Sequence, residues 1–228
     1  MKILMVAATQ MEVKMLVDMF EPVAEKSLIL KTYKLHANTI DVLVAGIGPT
    51  FTAFHLTNAL HDKKYDLVLN FGIAGSLTRE LSVGDVVNVV SDEFADLGIE
   101  DGENFKTLFD AGFVNVNDFP FENGVLRAPD LLRWPLLKKV CGITVNTSHG
   151  SKHSIDTLKY RFPMHVESME GAAVFYVCKW MGVEFAQIRS ISNHVEVRDV
   201  SKWDIPQALE NLNSVLIEIL ENITTPVN

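Results

Sequence analysis

The amino-acid sequence predicts an α/β protein with a single domain, in which helices flank a central mixed β-sheet. Short apolar runs rich in β-branched residues alternate with longer segments of helical period, a pattern typical of parallel strands joined by crossover helices. The chain has 228 residues, of which 48% are hydrophobic, and this is enough for one sizeable core. Because no repeat, low-complexity tract or linker divides the chain, we expect residues 1–228 to form one domain.

The predicted elements follow one another in the alternating order of such a fold. Six apolar runs are the predicted strands: Ile3–Ala8, Asp41–Ala45, Leu67–Phe71, Asp85–Phe94, Ile143–Asn146 and Glu184–Ile191. Five segments of helical period are the predicted helices: Met11–Phe20, Thr50–Leu60, Ser154–Tyr160, Met169–Met181 and Ile205–Ile223. In the last helix the spacing of apolar residues predicts one buried face. These residues are Leu209, Leu212, Leu216, Ile219 and Ile223.

Two further segments complete the predicted architecture. Leu28–Leu35 and Asn38–Val44, joined by His36 and Ala37, predict an antiparallel hairpin, which makes the sheet mixed. From Gly98 to Pro135 there is no sustained period, and we predict an irregular loop. A loop of this size inside a compact domain is more often functional than idle.

Charge and composition exclude several classes of protein. Twenty Lys and Arg residues against 29 Asp and Glu residues give a net charge of -9, which repels nucleic acid and anionic membrane surfaces. No apolar run is long enough to span a bilayer, and the run after Lys2 is too short for a signal peptide. Cys141 and Cys178 are too few for a disulfide framework and lack metal-ligand spacing. We therefore expect a cytoplasmic protein with no metal site and no nucleic-acid or membrane partner, in which Cys178 fills the core.

Two glycines, Gly72 and Gly75, follow the third predicted strand. Such glycines allow a backbone turn to approach a ligand at the carboxyl end of the sheet, where open α/β folds bind their ligands. A purely structural turn explains them equally well. Another glycine pair, Gly46 and Gly48, lacks the third glycine of a dinucleotide-binding fingerprint, so NAD is not a predicted ligand.

Glu170 stands at the start of a predicted helix, among apolar or small residues. A carboxylate in the first turn of a helix interacts favourably with the helix dipole, which is the ordinary structural explanation. That explanation fits Glu170 poorly, because tight packing around the carboxylate would require a polar partner. A pair of ligand hydroxyls is such a partner.

Polar residues also occur in and after the last predicted strand. Arg189 lies within that strand, where a charge is costly unless a carboxylate or a ligand pairs with it. Ser192 and Asn193 follow with groups that donate and accept hydrogen bonds, although Asn193 by itself would also fit a turn. With Glu12 just after the first strand, these residues lie at the ends of different strands, which predicts a small-molecule site.

Together these motifs resemble the nucleoside phosphorylase and nucleosidase superfamily. Five segments carry the resemblance, and together they extend over nearly the whole chain. They are Met1–Glu12, Phe71–Gly75, Val83–Asp85, Ser168–Ala172 and Arg189–Asn193. Within the superfamily, Phe94–Gly102 and Arg198–Trp203 resemble the futalosine hydrolases of menaquinone biosynthesis. The resemblance implies a nucleoside phosphorylase-like fold and a homodimer or higher homo-oligomer. It also implies cleavage of the purine N-ribosidic bond of a small-molecule nucleoside, without a metal or an organic cofactor.

The resemblance also implies roles for individual residues. Glu12 matches the acid/base that activates the attacking water, and Asn193 matches the residue that contacts the purine. Glu170 matches the carboxylate that binds the ribose hydroxyls, and Met169 packs against the sugar. The predicted catalytic residues are thus Glu12 and Asn193, and the predicted substrate-binding residues are Ala74, Gly75, Met169, Glu170, Arg189 and Ser192.

Asn193 departs from the related methylthioadenosine/S-adenosylhomocysteine nucleosidases, which have an Asp at this position. An Asn amide can donate to the O6 of hypoxanthine and accept from N7–H, whereas an ionised Asp would face O6 with like polarity. A mispaired buried polar group costs about 1–3 kcal/mol, so this departure favours a 6-oxopurine, as in futalosine, over an adenine nucleoside. The alternatives are a methylthioadenosine/S-adenosylhomocysteine or aminofutalosine nucleosidase, then a purine nucleoside phosphorylase, and in another class a noncatalytic nucleoside-binding protein.

The turn after the first strand favours hydrolysis over phosphorolysis. Phosphorylases of the superfamily need cationic phosphate contacts, typically an arginine in this turn, and the sequence instead has Glu12 there and no cation. Water is therefore the predicted nucleophile. The carboxybenzoyl tail of futalosine would need a donor or a cation, and the sequence does not assign one among the candidates His149, Lys152, His153, Arg127 and Arg198.

Overall fold

The computed structural model describes residues 1–35, 38–102, 104–130 and 137–224. Its strands are β1 (Ile3–Ala7), β2 (Glu21–Glu25), β3 (Leu30–Leu35), β4 (Asn38–Val44), β5 (Leu67–Ser76), β6 (Val86–Phe94), β7 (Gly98–Asp101), β8 (Asn104–Thr107), β9 (Leu126–Arg127), β10 (Lys138–Thr144), β11 (Val166–Ser168) and β12 (Phe185–His194). Its helices are α1 (Gln10–Val17), α2 (Pro49–Asp62), α3 (Lys152–Arg161), α4 (Gly171–Met181) and α5 (Ile205–Thr224), with a short 3-10 helix at Val200–Lys202. None of these helices combines the length and the apolar character needed to cross a membrane.

A mixed sheet of ten described strands forms the centre of the structure, which confirms the predicted α/β class. β1 lies between β4 and β5 and runs parallel to both, and β12 runs parallel to β5. The predicted hairpin is present as antiparallel β3 and β4, extended by β2, while its connecting residues His36 and Ala37 lie outside the described part of the chain. Beyond β12 come β6, β10 and β11, and β11 also pairs antiparallel with β5, which closes this half of the sheet on itself.

Both faces of β1 are buried because helices cover each side of the sheet. Ile3 and Met5 point to one face, where α1 and α5 pack, and Leu4 and Val6 point to the other, where α2 and α4 pack. Of the apolar face predicted for the last helix, Leu212, Leu216 and Ile219 are buried in the first of these two cores, Ile223 packs against it partly buried, and Leu209 is buried outside it. Cys178 is fully buried in the second, as predicted.

The strands that carry the glycine motif and the polar residues are longer than predicted. β5 continues through Gly72 and Gly75 to Ser76, so the predicted turn at these glycines is wrong. β12 continues past Ile191 to His194 and keeps pairing with β5 across an irregularity in the register. A glycine-rich strand has few side chains to reveal its alternation, and only pairing with a neighbouring strand defines where it ends.

Elsewhere the main differences from prediction involve short strands. β10 is Lys138–Thr144 instead of Ile143–Asn146, and α4 begins at Gly171 instead of Met169, with Glu170 as its N-cap, after the short strand β11. The expected irregular loop from Gly98 to Pro135 is wrong in part. Its described residues include the β7–β8 hairpin and β9, which pairs with β6. Glu103 and residues 131–135 of that loop lie outside the described part of the chain.

Asp41 on β4 is the centre of a buried polar cluster. Its Oδ2 accepts hydrogen bonds from Lys26 Nζ at 2.7 Å, Lys63 Nζ at 2.8 Å and Tyr65 Oη at 2.6 Å, and its Oδ1 accepts one from Thr32 Oγ1 at 2.6 Å. Burial alone would raise the pKa of Asp41, but these hydrogen bonds outweigh it and hold the pKa well below its usual range. The cluster joins β3, β4 and the end of α2 into one unit.

Candidate functional site

A cavity of about 380 Å³ opens at the carboxyl ends of β1, β5 and β12. This volume is within the range of small-molecule sites, and the position is where parallel strands of α/β folds present their ligand-binding residues. Seven of the eight predicted site residues lie on its wall: Glu12, Ala74, Gly75, Met169, Glu170, Ser192 and Asn193. The eighth, Arg189, lies behind the wall.

Glu12 is held at the cavity by the start of α1. Thr9 caps this helix: its Oγ1 accepts from the Glu12 backbone N–H at 3.4 Å, and Glu12 Oε2 accepts in return from Thr9 N at 2.9 Å and Oγ1 at 3.0 Å. The other oxygen, Oε1, accepts from Ile73 N of β5 at 3.1 Å. Both carboxylate oxygens therefore have fixed directions, although the side chain lies on the wall of an open cavity.

Gly72 makes the position of Glu12 possible. A Cβ at this residue would lie closer than 3.0 Å to both Glu12 Oε1 and Arg189 Nη1, a separation that real Cβ atoms essentially never show. The strand thus needs a glycine here because two charged side chains occupy the space that a side chain would take. This is a close-approach role within a strand, not the turn that the sequence predicted.

Glu170 is the N-cap residue of α4, and it has the polar partners that its apolar surroundings require. Its Oε1 accepts a hydrogen bond from Gly48 N at 3.1 Å, and its Oε2 lies 3.6 Å from Arg189 Nη2. Burial raises the pKa of Glu170, and the nearby charge of Glu12 adds to this, while Arg189 and the Gly48 N–H oppose it. Gly48, at a φ of 98°, belongs to the glycine pair that lacks a dinucleotide fingerprint, and its amide instead orients this carboxylate.

Arg189 is fully buried in β12 and is not part of the cavity wall. Its Nη2 donates to Asn70 Oδ1 at 2.9 Å, and Asn70 in turn donates from Nδ2 to Val6 O at 3.0 Å. The structure therefore brings Arg189 to Glu170, as the cost of a buried charge requires, but places it where it supports the wall. Direct contact between Arg189 and a substrate stays a sequence-based prediction.

Asn193 and Ser192 form the β12 side of the cavity. Asn193 Oδ1 accepts from Ser192 Oγ at 2.8 Å, and its Nδ2 donates to His194 O at 3.0 Å. One amide hydrogen and one oxygen lone pair of Asn193 remain for a ligand. Gly75 on the adjacent strand leaves room for this side of the site, since a Cβ there would meet Val195 Cγ2 at 2.7 Å.

Asp92 belongs to a buried network beneath the start of α4 that sequence reasoning missed. Its carboxylate accepts from Thr144 Oγ1 at 2.8 Å and Gln187 Nε2 at 3.2 Å, and Thr144 Oγ1 itself accepts from Ala172 N at 2.7 Å. Burial raises the pKa of Asp92 to about 7, against the effect of these hydrogen bonds. The network fixes the first turn of α4 and hence the backbone next to Glu170. Its only signal in the sequence was a charge inside an apolar strand.

Other cavity residues come from β11 and from loops that the sequence did not bring together. Glu167 on β11 accepts from His149 N at 3.1 Å, and its Oε2 lies 2.6 Å from His149 Nδ1. Ser168 Oγ lies on the wall, is buried and has no hydrogen-bond partner among the described residues, so it is free to bind a ligand. Arg198 and Trp203, which the sequence marked only through a resemblance, complete the wall.

No group of three or more His, Cys, Asp and Glu side chains in the described residues is arranged to hold a metal ion. Of the three carboxylates on the described wall of the cavity, Glu167 already faces His149, which leaves two carboxylates and the amide of Asn193 to act on a ligand. One carboxylate, Glu12, can accept a proton from a bound water. The other, Glu170, lies on the same wall with its backbone fixed by a helix start, and it can accept hydrogen bonds from hydroxyl groups.

A protein family, curated relatives and solved structures all resemble this chain. A family model described as the phosphorylase superfamily matches residues 2–221. The futalosine hydrolase of Acidothermus cellulolyticus is 34% identical over 180 residues, which are 78% of this chain and 73% of that protein. Among solved structures, the 5'-methylthioadenosine/S-adenosyl homocysteine nucleosidase of Helicobacter pylori has a TM-score of 0.81 at 19% identity, covering 96% of this chain and 97% of that one. The native futalosine hydrolase of Helicobacter pylori has a TM-score of 0.80 at 19% identity and the same coverage, and at such identities the likeness concerns the fold.

Proposed function

This chain belongs to the phosphorylase superfamily and, within it, to the futalosine hydrolases, and we propose that it hydrolyses the N-ribosidic bond of futalosine. Water and futalosine give hypoxanthine and dehypoxanthine futalosine. The observation that carries this proposal is the pair of buried carboxylates, Glu12 and Glu170, on the wall of the cavity at the carboxyl ends of β1, β5 and β12.

Glu12 is the general base in this proposal. Its two oxygens already accept hydrogen bonds from Thr9 and Ile73, and these bonds fix the carboxylate without neutralising it. A water beside Glu12 in the cavity loses a proton to it while attacking C1′ of the ribose. The bond to the base breaks through a state with oxocarbenium character, so a nearby carboxylate also stabilises the developing positive charge.

Glu170 and Asn193 hold the two parts of the nucleoside. Glu170 Oε1 is directed by Gly48, and the carboxylate accepts hydrogen bonds from the ribose hydroxyls, which fixes C1′ relative to Glu12. The free amide hydrogen of Asn193 donates to O6 of hypoxanthine, and its oxygen accepts from N7–H as the base leaves. N7 takes its proton from solvent as the bond to C1′ breaks, so the base departs as a neutral purine, a better leaving group than its anion, and Glu12 then returns the proton of the attacking water to solvent.

Water is the nucleophile in this proposal because carboxylates outnumber arginines and lysines on the described wall of the cavity. Arg198 is the one arginine or lysine on the described wall of the cavity, and Glu12, Glu167 and Glu170 also lie on that wall. A phosphate dianion beside these carboxylates would be repelled, whereas a water molecule would not. This favours hydrolysis over phosphorolysis for the same site.

We also infer that the protein acts as a homodimer in the cytoplasm, in menaquinone biosynthesis. Support for a dimer comes from an apolar surface, because Ile47, Phe51 and Phe54 at α2 are 54%, 60% and 62% exposed. Trp180 on the neighbouring α4 is also largely exposed and packs edge-to-face on Phe119. Large exposed apolar patches are typical of surfaces that associate. Sedimentation velocity at micromolar protein concentration would test this, and a monomer under these conditions would contradict it.

The test of the activity is incubation of the wild-type protein with futalosine, inosine and methylthioadenosine, each with and without phosphate, followed by detection of the free base. We expect hypoxanthine from futalosine at a rate that phosphate does not change. Release that depends on phosphate would indicate a phosphorylase, and a preference for methylthioadenosine would indicate the adenine-nucleoside alternative.

Glu12→Gln tests the assignment of the base. Glutamine cannot take the proton. In either orientation of its amide, the NH2 group would face a hydrogen-bond donor, either Thr9 or the Ile73 N–H. We expect kcat to fall by about 10²–10⁴-fold. Glu21→Gln, on the exposed strand β2 and away from the cavity, is the matched control and should keep full activity. Full turnover by the Glu12→Gln variant would refute the assignment.

A further inference from the structure

We propose that Arg198, stacked on Trp203, is the residue that binds the carboxylate of the substrate's aromatic tail. This inference rests on the proposed function, because futalosine carries a carboxybenzoyl group at the far end of its ribose from the base. The whole chain has a net charge of -9, so a general attraction between protein and anionic substrate is absent. A local cation on the cavity wall must supply the recognition.

The structure separates the five cationic candidates of the sequence. Lys152 and Arg127 do not lie on the cavity wall, and their side chains approach carboxylates of Asp156 at 2.6 Å and Glu122 at 3.7 Å. His153 is exposed and also lies off the wall. These three side chains are therefore in the wrong place for a substrate in the cavity.

The remaining candidates, His149 and Arg198, both lie on the wall but differ in their partners. His149 Nδ1 lies 2.6 Å from the Glu167 carboxylate, so the imidazole already faces a negative charge. No carboxylate of the described residues lies within 4.0 Å of the Arg198 guanidinium, because nearby Glu196 pairs with Arg79 and Lys202 instead. Arg198 is thus the cation on the wall that can still form an ion pair.

Arg198 is also held in place for such a role. Its guanidinium carbon lies 4.9 Å from the centroid of the Trp203 ring, a stacking distance that leaves the edge N–H groups free to donate. Backbone hydrogen bonds fix the segment at both ends, from Arg198 N to Gly150 O at 3.0 Å and from Asp204 N to Ser192 O at 2.9 Å. The second bond ties the Arg198–Trp203 segment to the strand end that presents Asn193.

A planar guanidinium is suited to a benzoate, because two parallel N–H groups match the two carboxylate oxygens. A stacked guanidinium has also lost part of its rotational freedom before the substrate binds, so less entropy is lost on binding. The proposal thus gives Asn193 the base, Glu170 the ribose and Arg198 the anionic end of the substrate. These three contacts together select a long nucleoside with a terminal acid.

The experiment compares kcat/KM for futalosine and for its methyl ester, which lacks the charge but keeps the shape of the tail. Wild type should prefer the acid by about 10- to 100-fold, the range expected for a charge-assisted hydrogen bond. High salt should reduce this preference, since Arg198 is exposed. Arg198→Met should abolish the preference, and Arg198→Lys should keep part of it because a lysine retains the charge but not the planar fork.

Arg161→Met is the matched control, because the Arg161 guanidinium also lies 4.9 Å from an aromatic centroid, that of Phe105, and is off the cavity wall. This variant should discriminate acid from ester as wild type does. If wild type hydrolyses futalosine but Arg198→Met keeps the discrimination, or wild type has none, the role of Arg198 is refuted while the proposed function stands. If wild type does not hydrolyse futalosine, the proposed function fails and the inference fails with it.

Discussion

Replacing Gly72 with alanine should disable the site through a single added carbon. The new Cβ would lie closer than 3.0 Å to both Glu12 Oε1 and Arg189 Nη1, whereas ordinary van der Waals contacts lie at 3.4–4 Å. Both charged groups must therefore move back by about 1 Å to reach ordinary contact. The hydrogen bond from Ile73 N to Glu12 Oε1 is already 3.1 Å long, so the same movement would stretch it beyond hydrogen-bonding distance.

The expected loss follows from that displacement. A misplacement of about 1 Å in a catalytic group costs up to ~10²-fold in rate, so Gly72→Ala should reduce kcat/KM by about 10- to 100-fold. Overpacking of a buried strand should also lower the free energy of unfolding by about 1–3 kcal/mol. Val68→Ile adds one carbon to the same strand at a fully buried position off the cavity wall, and it serves as the control. The control should lose stability but keep activity, and a folded Gly72→Ala variant with wild-type kcat/KM would refute the reasoning.

Three further variants test other parts of the structure. Asn193→Asp should shift the preference from futalosine toward its 6-amino analogue by about 10- to 100-fold, measured as a ratio of kcat/KM values, and no shift would reject the role of Asn193 in reading the base. Asp41→Asn should lower the free energy of unfolding by about 1.5–3 kcal/mol in urea titrations at neutral pH. Because the pKa of Asp41 is held low in the folded state, wild type should keep this advantage above about pH 4 and lose it as the pH falls further. Asp92 has a pKa of about 7 in the folded protein. Its protonated form therefore contributes to the free energy of unfolding fully below about pH 4, and this contribution is lost as the pH rises through 7. The stability of Asp92→Asn relative to wild type should therefore rise between about pH 4 and pH 7 and level off above, and a constant difference would show that Asp92 does not titrate in this window.

The sequence could predict the carboxylates of the site because each has a local signal. Glu12 follows a buried strand directly, and Glu170 stands among apolar and small residues where a charge needs a partner. The position of a residue after a parallel strand also gives its place at the carboxyl end of the sheet. These signals require only the order of strands and helices, which apolar periodicity supplies.

Other features of the structure depend on contacts between distant parts of the chain. The periodicity of apolar residues does not predict such contacts. The extension of β5 past Phe71 depends on its pairing with β12, and β11 exists because it pairs with β10 and β5. The approach of Arg198 to Gly150 joins residues 48 positions apart through one backbone hydrogen bond. Such pairings are set by the closure of the whole sheet, so a local pattern predicts the residues but not their partners.

The location of Arg189 explains how one site can hold two carboxylates and still exclude phosphate. Glu12 and Glu170 repel each other, and the pKa of Glu170 is raised by burial and by that repulsion. A cation must therefore be close by, yet a cation exposed in the cavity beside Glu12 would also bind an anionic nucleophile. The one arginine on the described wall, Arg198, is proposed to bind the tail of the substrate instead. Arg189 is fully buried, and its Nη2 is occupied by Asn70 and faces Glu170, so its charge acts on the carboxylate from behind the wall. In the proposed reaction Glu170 therefore keeps the electrostatic benefit of an arginine that does not line the cavity, and the nucleophile that Glu12 activates is water.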